Sequence, residues 1–263
     1  MGRPLRIVVT NDDGVDSPGI HALARALHAA GHELTVVAPS RDWSGAGASI
    51  GPIHLDASIE VTELEWDHLP GVPVYALDRP PATGVWAACL GAFGPVPDLI
   101  ASGINPGANT GHLTLHSGTV GGALTGAAFG VPSIAVSLEW ATGEYHWETA
   151  ARFAPAAAQW AISAGDAMPA VLNVNVPNRP FEEVLGVREA HLARYGEVWV
   201  NNADRTDGDL RLTFDGGGRE PDPDADVALI GAGYVAVTPL LGIERAPLTG
   251  AADHVASALS ERP

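Results

Sequence analysis

Two adjacent carboxylates follow an apolar run near the start of the chain. Residues 7–19 read IVVTNDDGVDSPG, so Asp12 and Asp13 stand directly before Gly14. Two unpaired carboxylates about 4 Å apart would repel by roughly 4 kcal/mol at an effective dielectric constant near 20. Successive side chains of a strand point to opposite faces, and Gly14 lets the chain leave strand geometry. The pair therefore predicts a turn at which both carboxylates address one cation.

Two later loops carry further oxygen donors where strands are expected to end. Ser44 lies in SRDWSGAG, and Asn105 and Asn109 lie in SGINPGAN after the strand DLIA. Ligands of open α/β sheets bind at the carboxyl ends of strands, so these loops are expected to meet the aspartates. Their hard oxygen donors select magnesium, manganese or calcium over zinc. A turn in which the aspartates hydrogen-bond to their own backbone accounts for the DDG segment by itself. It does not account for two further loops with oxygen donors at the same edge of the sheet.

The segment HSGTVGGALTG adds a candidate anion site. Ser117, Gly118 and Thr119 stand at the start of a predicted helix, where unpaired backbone N–H groups and the helix dipole favour negative charge. A simple N-cap role also explains Ser117, and capping is compatible with anion binding. A cation site beside an anion site is the outline of a phosphoryl site.

The composition excludes several kinds of site and partner. The 263 residues carry a formal net charge of −17, and all 14 basic residues are arginine. Without lysine there is no Walker-type phosphate loop, Schiff-base lysine or Ser–Lys dyad. The negative charge argues against duplex nucleic acid or an anionic membrane as a partner, because both would be repelled.

The compartment is inferred from cysteine usage and hydropathy. Cys89 is the single cysteine and lies in VWAACLGAF, which predicts a buried small hydrophobe in a reducing environment. The amino-terminal segment has no signal-peptide core, and no run of 18 or more apolar residues is present. We therefore expect a soluble cytoplasmic protein.

Strand and helix patterns alternate over the first 180 residues and must position these side chains. Predicted strands cover residues 5–10, 34–38, 53–55, 59–62, 74–77, 98–101, 133–137 and 171–174. Predicted helices cover residues 18–31, with Ser17 as N-cap, and 82–93, 119–129 and 148–164. Repeated β-α-β units predict an α/β fold with a parallel sheet and helices on both faces.

The pattern changes after about residue 180. Polar loops separate strand candidates near Trp199, at 210–214 and at 234–238, with a short helix at 253–259. We therefore predict a core over residues 1–180 and a β-rich extension over residues 181–263. This extension reaches a neighbouring subunit or forms a plain surface hairpin, and the pattern leaves both open.

Four motifs carry a family resemblance. In order they read TNDDGVDSPGI, VVAPSRDWSGAGASI, DLIASGINPGANTG and HSGTVGGALTG, and SIAVSL, VLNVNVP and GYVAVTPL extend the likeness over nearly the whole chain. Together they resemble the signature segments of the SurE family of metal-dependent 5'/3'-nucleotidases. The resemblance implies a Rossmann-like core and a β-rich C-terminal part used to form a homodimer or homotetramer. It also implies hydrolysis of nucleoside monophosphates to nucleoside and phosphate.

The resemblance further implies roles for single residues. It implies one divalent cation per subunit, magnesium or manganese, or calcium in a crystal. The residues that match the metal ligands are Asp12, Asp13, Ser44 and Asn105. The residues that match phosphate-contacting positions are Asn109, Ser117, Gly118 and Thr119. The residues expected to act in catalysis are Asp12, Asp13, Asn109 and Ser117.

The chain departs from the family pattern at three places. It has Ala82, Thr83 and Gly84 where the family commonly has threonine-proline followed by aspartate-cysteine. His116 replaces a usual tyrosine and Thr125 a usual glutamate. These changes spare the metal-matching residues, so they affect the substrate more than the reaction. His116 is a candidate proton donor to the leaving alcohol, with a packing or surface histidine as the competing interpretation.

The hypothesis is metal-assisted phosphomonoester hydrolysis. The two aspartates hold the cation, which polarises a phosphoryl oxygen and orients a water molecule, and Asp12 is the first candidate for general base. Two rivals stay open. The segment GASIG at residues 47–51 matches the G-x-S-x-G pattern of serine hydrolases, with Ser49 as the nucleophile. That pattern requires a strand before it and a helix after it, whereas here a glycine-rich loop precedes it and Pro52 follows it. The departures also fit a non-catalytic nucleotide or anion binder.

Overall fold

The computed structural model describes residues 3–51, 58–164, 171–194, 199–215 and 222–243. The strands are β1 (Arg6–Thr10), β2 (Glu33–Pro39), β3 (Val61–Leu64), β4 (Val74–Leu77), β5 (Leu99–Pro106), β6 (Ser133–Leu138), β7 (Val171–Val176), β8 (Val187–Glu189), β9 (Trp199–Thr206), β10 (Asp209–Asp215) and β11 (Val235–Leu240). The helices are α1 (Pro18–Ala29), α2 (Pro81–Cys89), α3 (Gly118–Ala128), α4 (Trp147–Ala151), α5 (Ala154–Ser163) and α6 (Asp226–Gly231). Short 3-10 helices lie at Gly111–His116 and Phe181–Glu183.

Nine of the eleven strands in the described ranges form one large, mostly parallel sheet. Its order is β3-β4-β2-β1-β5-β6-β7-β11-β8. The pairs from β4 through β7 are parallel, whereas β3 pairs antiparallel with β4 and β11 pairs antiparallel with β7. The predicted α/β fold with a Rossmann-like core is confirmed, with antiparallel strands added on both sides.

Helices cover both faces of the sheet. On one face, Ile20, Leu23 and Leu27 of α1 recur at helical spacing and are completely buried in a core shared with α4 and α5. On the other face α2 and α3 pack through small residues. A Cβ at Gly84 of α2, for example, would lie 2.8 Å from Cγ1 of Val37. The close approach of α2 to strand β2 therefore depends on a glycine at this position.

The site lies where the strand order changes direction. β1 is flanked by β2 on one side and β5 on the other, and all three run parallel. The loops that follow these strands consequently leave the sheet at one edge, as the crevice rule for open α/β sheets expects. The amino terminus of α3 reaches the loop after β1, because a Cβ at Gly118 would lie 2.6 Å from Cβ of Asp12.

Several predicted elements need correction. The predicted glycine-rich loop after DLIA begins later, because β5 continues to Pro106 and pairs with β6 through an irregularity between Gly103 and Asn105. The predicted helix at 148–164 is two helices, and Pro155 sits in the first turn of the second, where its missing N–H is tolerated. Helix α2 ends at Cys89 rather than near residue 93, with Gly91 at positive φ just beyond.

Smaller differences concern a cap and a strand. Ser17 occupies the N-cap position of α1 and Pro18 the first turn, but the Ser17 side chain makes no capping hydrogen bond. Strand β3 begins at Val61 rather than near residue 59. Cys89 is buried in an apolar cluster, as predicted, and burial raises the pKa of its thiol to about 11. The candidate strand at 53–55 and the candidate helix at 253–259 lie outside the described residues.

The C-terminal strands divide between two sheets. β11 and β8 extend the main sheet beyond β7, while β9 and β10 form a separate antiparallel hairpin. Leu210 and Leu212 of this hairpin are exposed. No helix within the described ranges is both long and apolar enough to cross a membrane.

Candidate metal and phosphate site

Asp12 lies just beyond β1 against the first turn of α3. Its side chain is almost completely buried, and its Oδ1 accepts a hydrogen bond from the Thr119 hydroxyl. Burial raises the pKa of the Asp12 carboxyl, while the hydrogen bonds from Thr119 and from the Gly118 backbone oppose the rise. The carboxylate therefore occupies a position that disfavours its charge unless a cation lies nearby.

Asp13 is half-buried, and its Oδ2 atom lies out of solvent with no hydrogen-bond partner within the described part of the chain. Burial, followed by the charges of Asp12 and Asp42, raises the pKa of its carboxyl to about 8. A buried, unpaired carboxylate oxygen beside like charges is a costly arrangement that a cation would relieve. The site therefore fits a divalent cation.

The donor chemistry also fits a hard cation. The described ranges hold no group of three or more His, Cys, Asp or Glu side chains arranged to bind a metal ion. A cation held by Asp12 and Asp13 must complete its shell with hydroxyl, amide, backbone or water oxygens. Such a donor set suits magnesium or manganese better than zinc.

The loop after β2 is tied to the aspartate loop. The Trp43 N–H donates to the Asp12 carbonyl at 2.7 Å. Ser44 is exposed, and its backbone N–H and its hydroxyl donate to Oδ1 of Asp42 at 2.7 and 2.6 Å. The Ser44 hydroxyl is therefore oriented by Asp42, a neighbour of the aspartate pair that the sequence analysis missed. Its position in the loop after β2, two residues before Ser44, was the available signal.

Asn105 lies near the end of β5, on the opposite side of β1 from Ser44. Its Nδ2 donates to the Gly107 carbonyl at 2.6 Å, so this turn holds the amide nitrogen. The start of α1 packs tightly against the same strand, because a Cβ at Gly19 would lie 1.9 Å from the Ile104 carbonyl oxygen. Asn105 is therefore a strand residue one position before the end of β5, and not a residue of the loop predicted for it.

Asn109 is held by side chains of β6 and β7. Its N–H donates to Oδ1 of Asn175 at 2.7 Å, and its carbonyl accepts from Asn173 and Asn175 at 2.8 and 3.0 Å. Its own Nδ2 donates to Oγ of Ser137 at 2.8 Å. These three supporting residues were not predicted from the sequence. The alternating asparagines of VLNVNV, on one face of a buried strand, were a readable signal.

Helix α3 reaches both loops because its first turns carry small residues. Ser117 is its N-cap, and Oγ accepts from the Val120 N–H at 3.1 Å. A Cβ at Gly118 would lie 2.6 Å from Cβ of Asp12. A Cβ at Gly121 would lie 2.2 Å from the Gly47 carbonyl oxygen. The positive end of the helix dipole therefore lies directly against Asp12.

The predicted site residues gather at one edge but are not all in contact. Asp12 directly contacts Thr119 and the Gly118 backbone, and Ser117 caps the same helix turn. Ser44 is linked to Asp12 through the preceding residue, Trp43, whose N–H donates to the Asp12 carbonyl. The Thr119 side chain is directed to Asp12, so only its backbone N–H is available to an anion.

The departures from the family pattern lie around this site rather than in it. The Thr83 hydroxyl donates to the Ile50 carbonyl, and the Thr125 hydroxyl donates to the Gly121 carbonyl. His116 is exposed at the end of a 3-10 helix. Ser49 is also exposed and accepts a hydrogen bond from the Gly51 N–H in an irregular loop. The described residues before it, 40–48, contain no strand, so the strand that must precede a serine-hydrolase nucleophile is absent there.

Comparisons with known proteins agree with this architecture. The family model "Survival protein SurE" matches residues 7–198. The "5'-nucleotidase SurE" of Gloeobacter violaceus is 38% identical over 243 residues, which cover 90% of this chain and 89% of that protein. The protein of the same name from Aeromonas hydrophila is 36% identical over 239 residues, covering 90% of this chain and 92% of that protein. The crystal structure of the SurE protein from Aquifex aeolicus superimposes with a TM-score of 0.74 at 30% identity, covering 90% of this chain and 93% of that one. The chain belongs to the SurE family.

Proposed function

We propose that this protein is a 5'-nucleotidase, a phosphoric monoester hydrolase that converts nucleoside monophosphates to nucleoside and inorganic phosphate. Its relatives of 36–38% identity carry the name 5'-nucleotidase SurE. The observation that carries the proposal is the buried Oδ2 of Asp13, which has no hydrogen-bond partner among the described residues and lies beside Asp12. Asp12 in turn lies against Gly118 at the amino terminus of α3. A cation site and an anion site adjoin there, and phosphoryl transfer requires both.

The aspartate pair would hold one divalent cation, magnesium or manganese, with Ser44 and Asn105 as neutral oxygen donors. A cation bound there would polarise a phosphoryl oxygen and lower the pKa of a bound water. The chain contains no lysine and carries a net charge of −17, so it offers little other positive charge to a phosphate dianion. We therefore expect activity to depend strictly on the cation.

The phosphate group itself would be bound by neutral donors. The backbone N–H of Thr119 at the start of α3, together with the Asn109 amide, would take up charge on phosphoryl oxygens, while the Gly118 N–H donates to the Asp12 carboxylate beside them. Ser117 orders this turn as its N-cap. Asp12 is the candidate general base, because its carboxylate adjoins both the proposed cation and the first turn of α3.

The assembly and compartment are also proposed. Residues 1–180 form the catalytic core and residues 181–263 the extension that joins subunits into a homodimer or homotetramer. The exposed Leu210 and Leu212 support this, because residues two apart in β10 lie on the same face of the hairpin and offer apolar surface to a neighbour. The single, buried cysteine supports a reducing compartment such as the cytoplasm.

The test is phosphate release from 5'- and 3'-nucleoside monophosphates, nucleotide sugars and short polyphosphates. Each substrate is measured with magnesium, with manganese, with calcium and with excess chelator, and oligomer size is measured by light scattering. Release from nucleoside monophosphates that chelator abolishes is expected. Tight nucleotide binding without release would instead indicate a non-catalytic binder. Inhibition by a serine-directed reagent, lost in Ser49→Ala, would indicate a serine hydrolase.

A further inference from the structure

The edge of the sheet beside the site carries a row of polar side chains where apolar ones are expected. In strand register, Asn105 of β5 lies opposite Ser137 of β6, and Ser137 lies opposite Asn175 of β7. Ser137 and Asn175 are completely buried. Apart from Ser133 and Ser137, the residues of β6 are apolar and fully buried: Ile134, Ala135, Val136 and Leu138. A hydroxyl at this position therefore has a purpose other than core packing.

The Ser137 hydroxyl has a definite partner in the site. Its Oγ accepts the hydrogen bond from Nδ2 of Asn109 at 2.8 Å, across 28 residues of sequence. The terminal torsion of an asparagine side chain is broad and roughly two-fold, so backbone geometry alone does not decide which way its amide faces. The hydrogen bond to the buried Ser137 hydroxyl fixes the orientation of the Asn109 amide. One amide N–H of Asn109 is used in this way, which leaves the second N–H for a ligand.

The Asn109 backbone is restrained independently of its side chain. The side-chain amide of Asn175 pairs with both the N–H and the carbonyl of Asn109, and Asn173 donates to the same carbonyl. The strand β7 therefore holds the main chain of Asn109, while the strand β6 holds its amide. Because the two restraints act on different torsions, the effect of Ser137 on the amide can be tested separately.

We propose that Ser137 is a positioning residue for phosphate binding, acting through the Asn109 amide. This inference rests on the proposed function, in which Asn109 contacts the phosphoryl oxygens. Without the Ser137 hydroxyl, the Asn109 amide would rotate and its N–H would no longer be held toward the phosphate. Misplacing a group that binds the transition state lowers the rate even when the substrate still enters the site.

The experiment compares Ser137→Ala with a matched control, Ser133→Ala. Ser133 lies at the other end of the same strand, is equally buried, and donates to the Val131 carbonyl at 2.9 Å. Steady-state hydrolysis of AMP is measured with manganese, together with inhibition by inorganic phosphate and the thermal unfolding midpoint. We expect Ser137→Ala to lower kcat/KM by about 10- to 100-fold and to weaken phosphate inhibition, and Ser133→Ala to change both by less than about threefold.

A double-mutant cycle separates positioning from general damage to the core. If Ser137 acts through Asn109, adding Ser137→Ala to Asn109→Ala changes kcat/KM by less than about threefold. If Ser137→Ala fails to fold, Ser137→Cys keeps the size but has a weak acceptor and is expected to show the same loss. Equal effects of the Ser137 and Ser133 variants, or effects that multiply in the double variant, would overturn the inference. An inactive unmodified protein would instead overturn the proposed function, and that result is visible before any variant is compared.

Discussion

The Thr119 hydroxyl donates a hydrogen bond to Oδ1 of Asp12 and joins the first turn of α3 to the loop after β1. The two residues are 107 positions apart in the sequence, and both are almost completely buried. The bond holds one carboxylate oxygen in place and partly offsets the effect of burial on its pKa. It therefore couples the proposed phosphate-binding helix to the proposed metal ligand.

Replacing Thr119 with valine should weaken metal binding while keeping the shape of the side chain. Loss of a hydrogen bond that orients a metal ligand typically costs about 10- to 100-fold in affinity, and we expect a decrease of this size for Mn²⁺ measured by calorimetry. Thr125→Val is the matched control, because Thr125 lies on the same helix and donates only to the Gly121 carbonyl. Equal manganese affinity in the two variants would contradict a role for Thr119 in orienting Asp12.

Replacing Asp13 with asparagine should abolish phosphate release and stabilise the metal-free protein. The folded-state pKa of about 8 lies above the unfolded value, so the ionised carboxylate costs stability that is absent near pH 4 and grows as pH rises toward 8. The variant should therefore unfold at least about 2 °C higher than the metal-free wild type at pH 8, and at the same temperature near pH 4. Thermal unfolding with and without manganese measures both effects.

The control for this variant is Asp16→Asn, which removes an exposed carboxylate from the same loop. Asp16→Asn should keep its activity and its stabilisation by manganese, whereas Asp13→Asn should lose both. Full activity of Asp13→Asn, or activity of the wild type in excess chelator, would refute the assignment of Asp13 as a metal ligand.

Replacing Gly118 with alanine should damage the site through backbone displacement. The added Cβ would lie 2.6 Å from Cβ and 2.9 Å from Cγ of Asp12, so either α3 or the aspartate loop must move. We expect a loss of about 1–3 kcal/mol in the free energy of unfolding and a large loss of kcat/KM. Gly143→Ala is the control, since nothing lies within 4 Å of the Cβ it would add. Unchanged kinetics in Gly118→Ala would show that the first turn of α3 tolerates displacement.

Asp98 should contribute stability that depends on pH. Its carboxylate accepts hydrogen bonds from the Arg6 guanidinium at 3.0 and 3.1 Å and from the Arg6 N–H at 2.9 Å, and these hold the pKa of the carboxyl well below its usual range. A depressed folded-state pKa stabilises the protein above the unfolded pKa of about 4, and this contribution is lost as pH falls further. Asp98→Asn should therefore lower the free energy of unfolding by about 2 kcal/mol at pH 7.

Denaturant unfolding of wild type and Asp98→Asn at several pH values checks this. The difference between the two proteins should stay constant from pH 7 to about pH 5 and shrink below pH 4. Glu33→Gln, which removes an exposed carboxylate beside the same arginine, should have a much smaller effect. A difference that does not change with pH would mean that the Asp98 contribution is not electrostatic.

Much of the fold could be predicted because local signals agreed with each other. The runs at β1, β2, β4 and β6 are apolar and β-branched, and the strands lie within one residue of their predicted bounds. The break between α4 and α5 and the continuation of β5 to Pro106 were not predicted. Pairing with the distant strand β6, rather than local propensity, determines where β5 ends, whereas the second helix begins with Pro155 in its first turn, a local signal.

By itself, the sequence determined the chemistry available at the site: two adjacent carboxylates, oxygen donors on three loops, a glycine-rich helix start and no lysine. Only the tertiary structure decided which of these groups touch. It turned the Thr119 hydroxyl toward Asp12, directed the Ser44 hydroxyl to Asp42, and placed Ser137 and Asn175 around Asn109. These contacts join residues of separate strands and helices, apart from the local Ser44–Asp42 pair, and depend on strand order and helix packing. A hydrogen bond acts only over about 3 Å, so the spacing of residues along the chain cannot specify it.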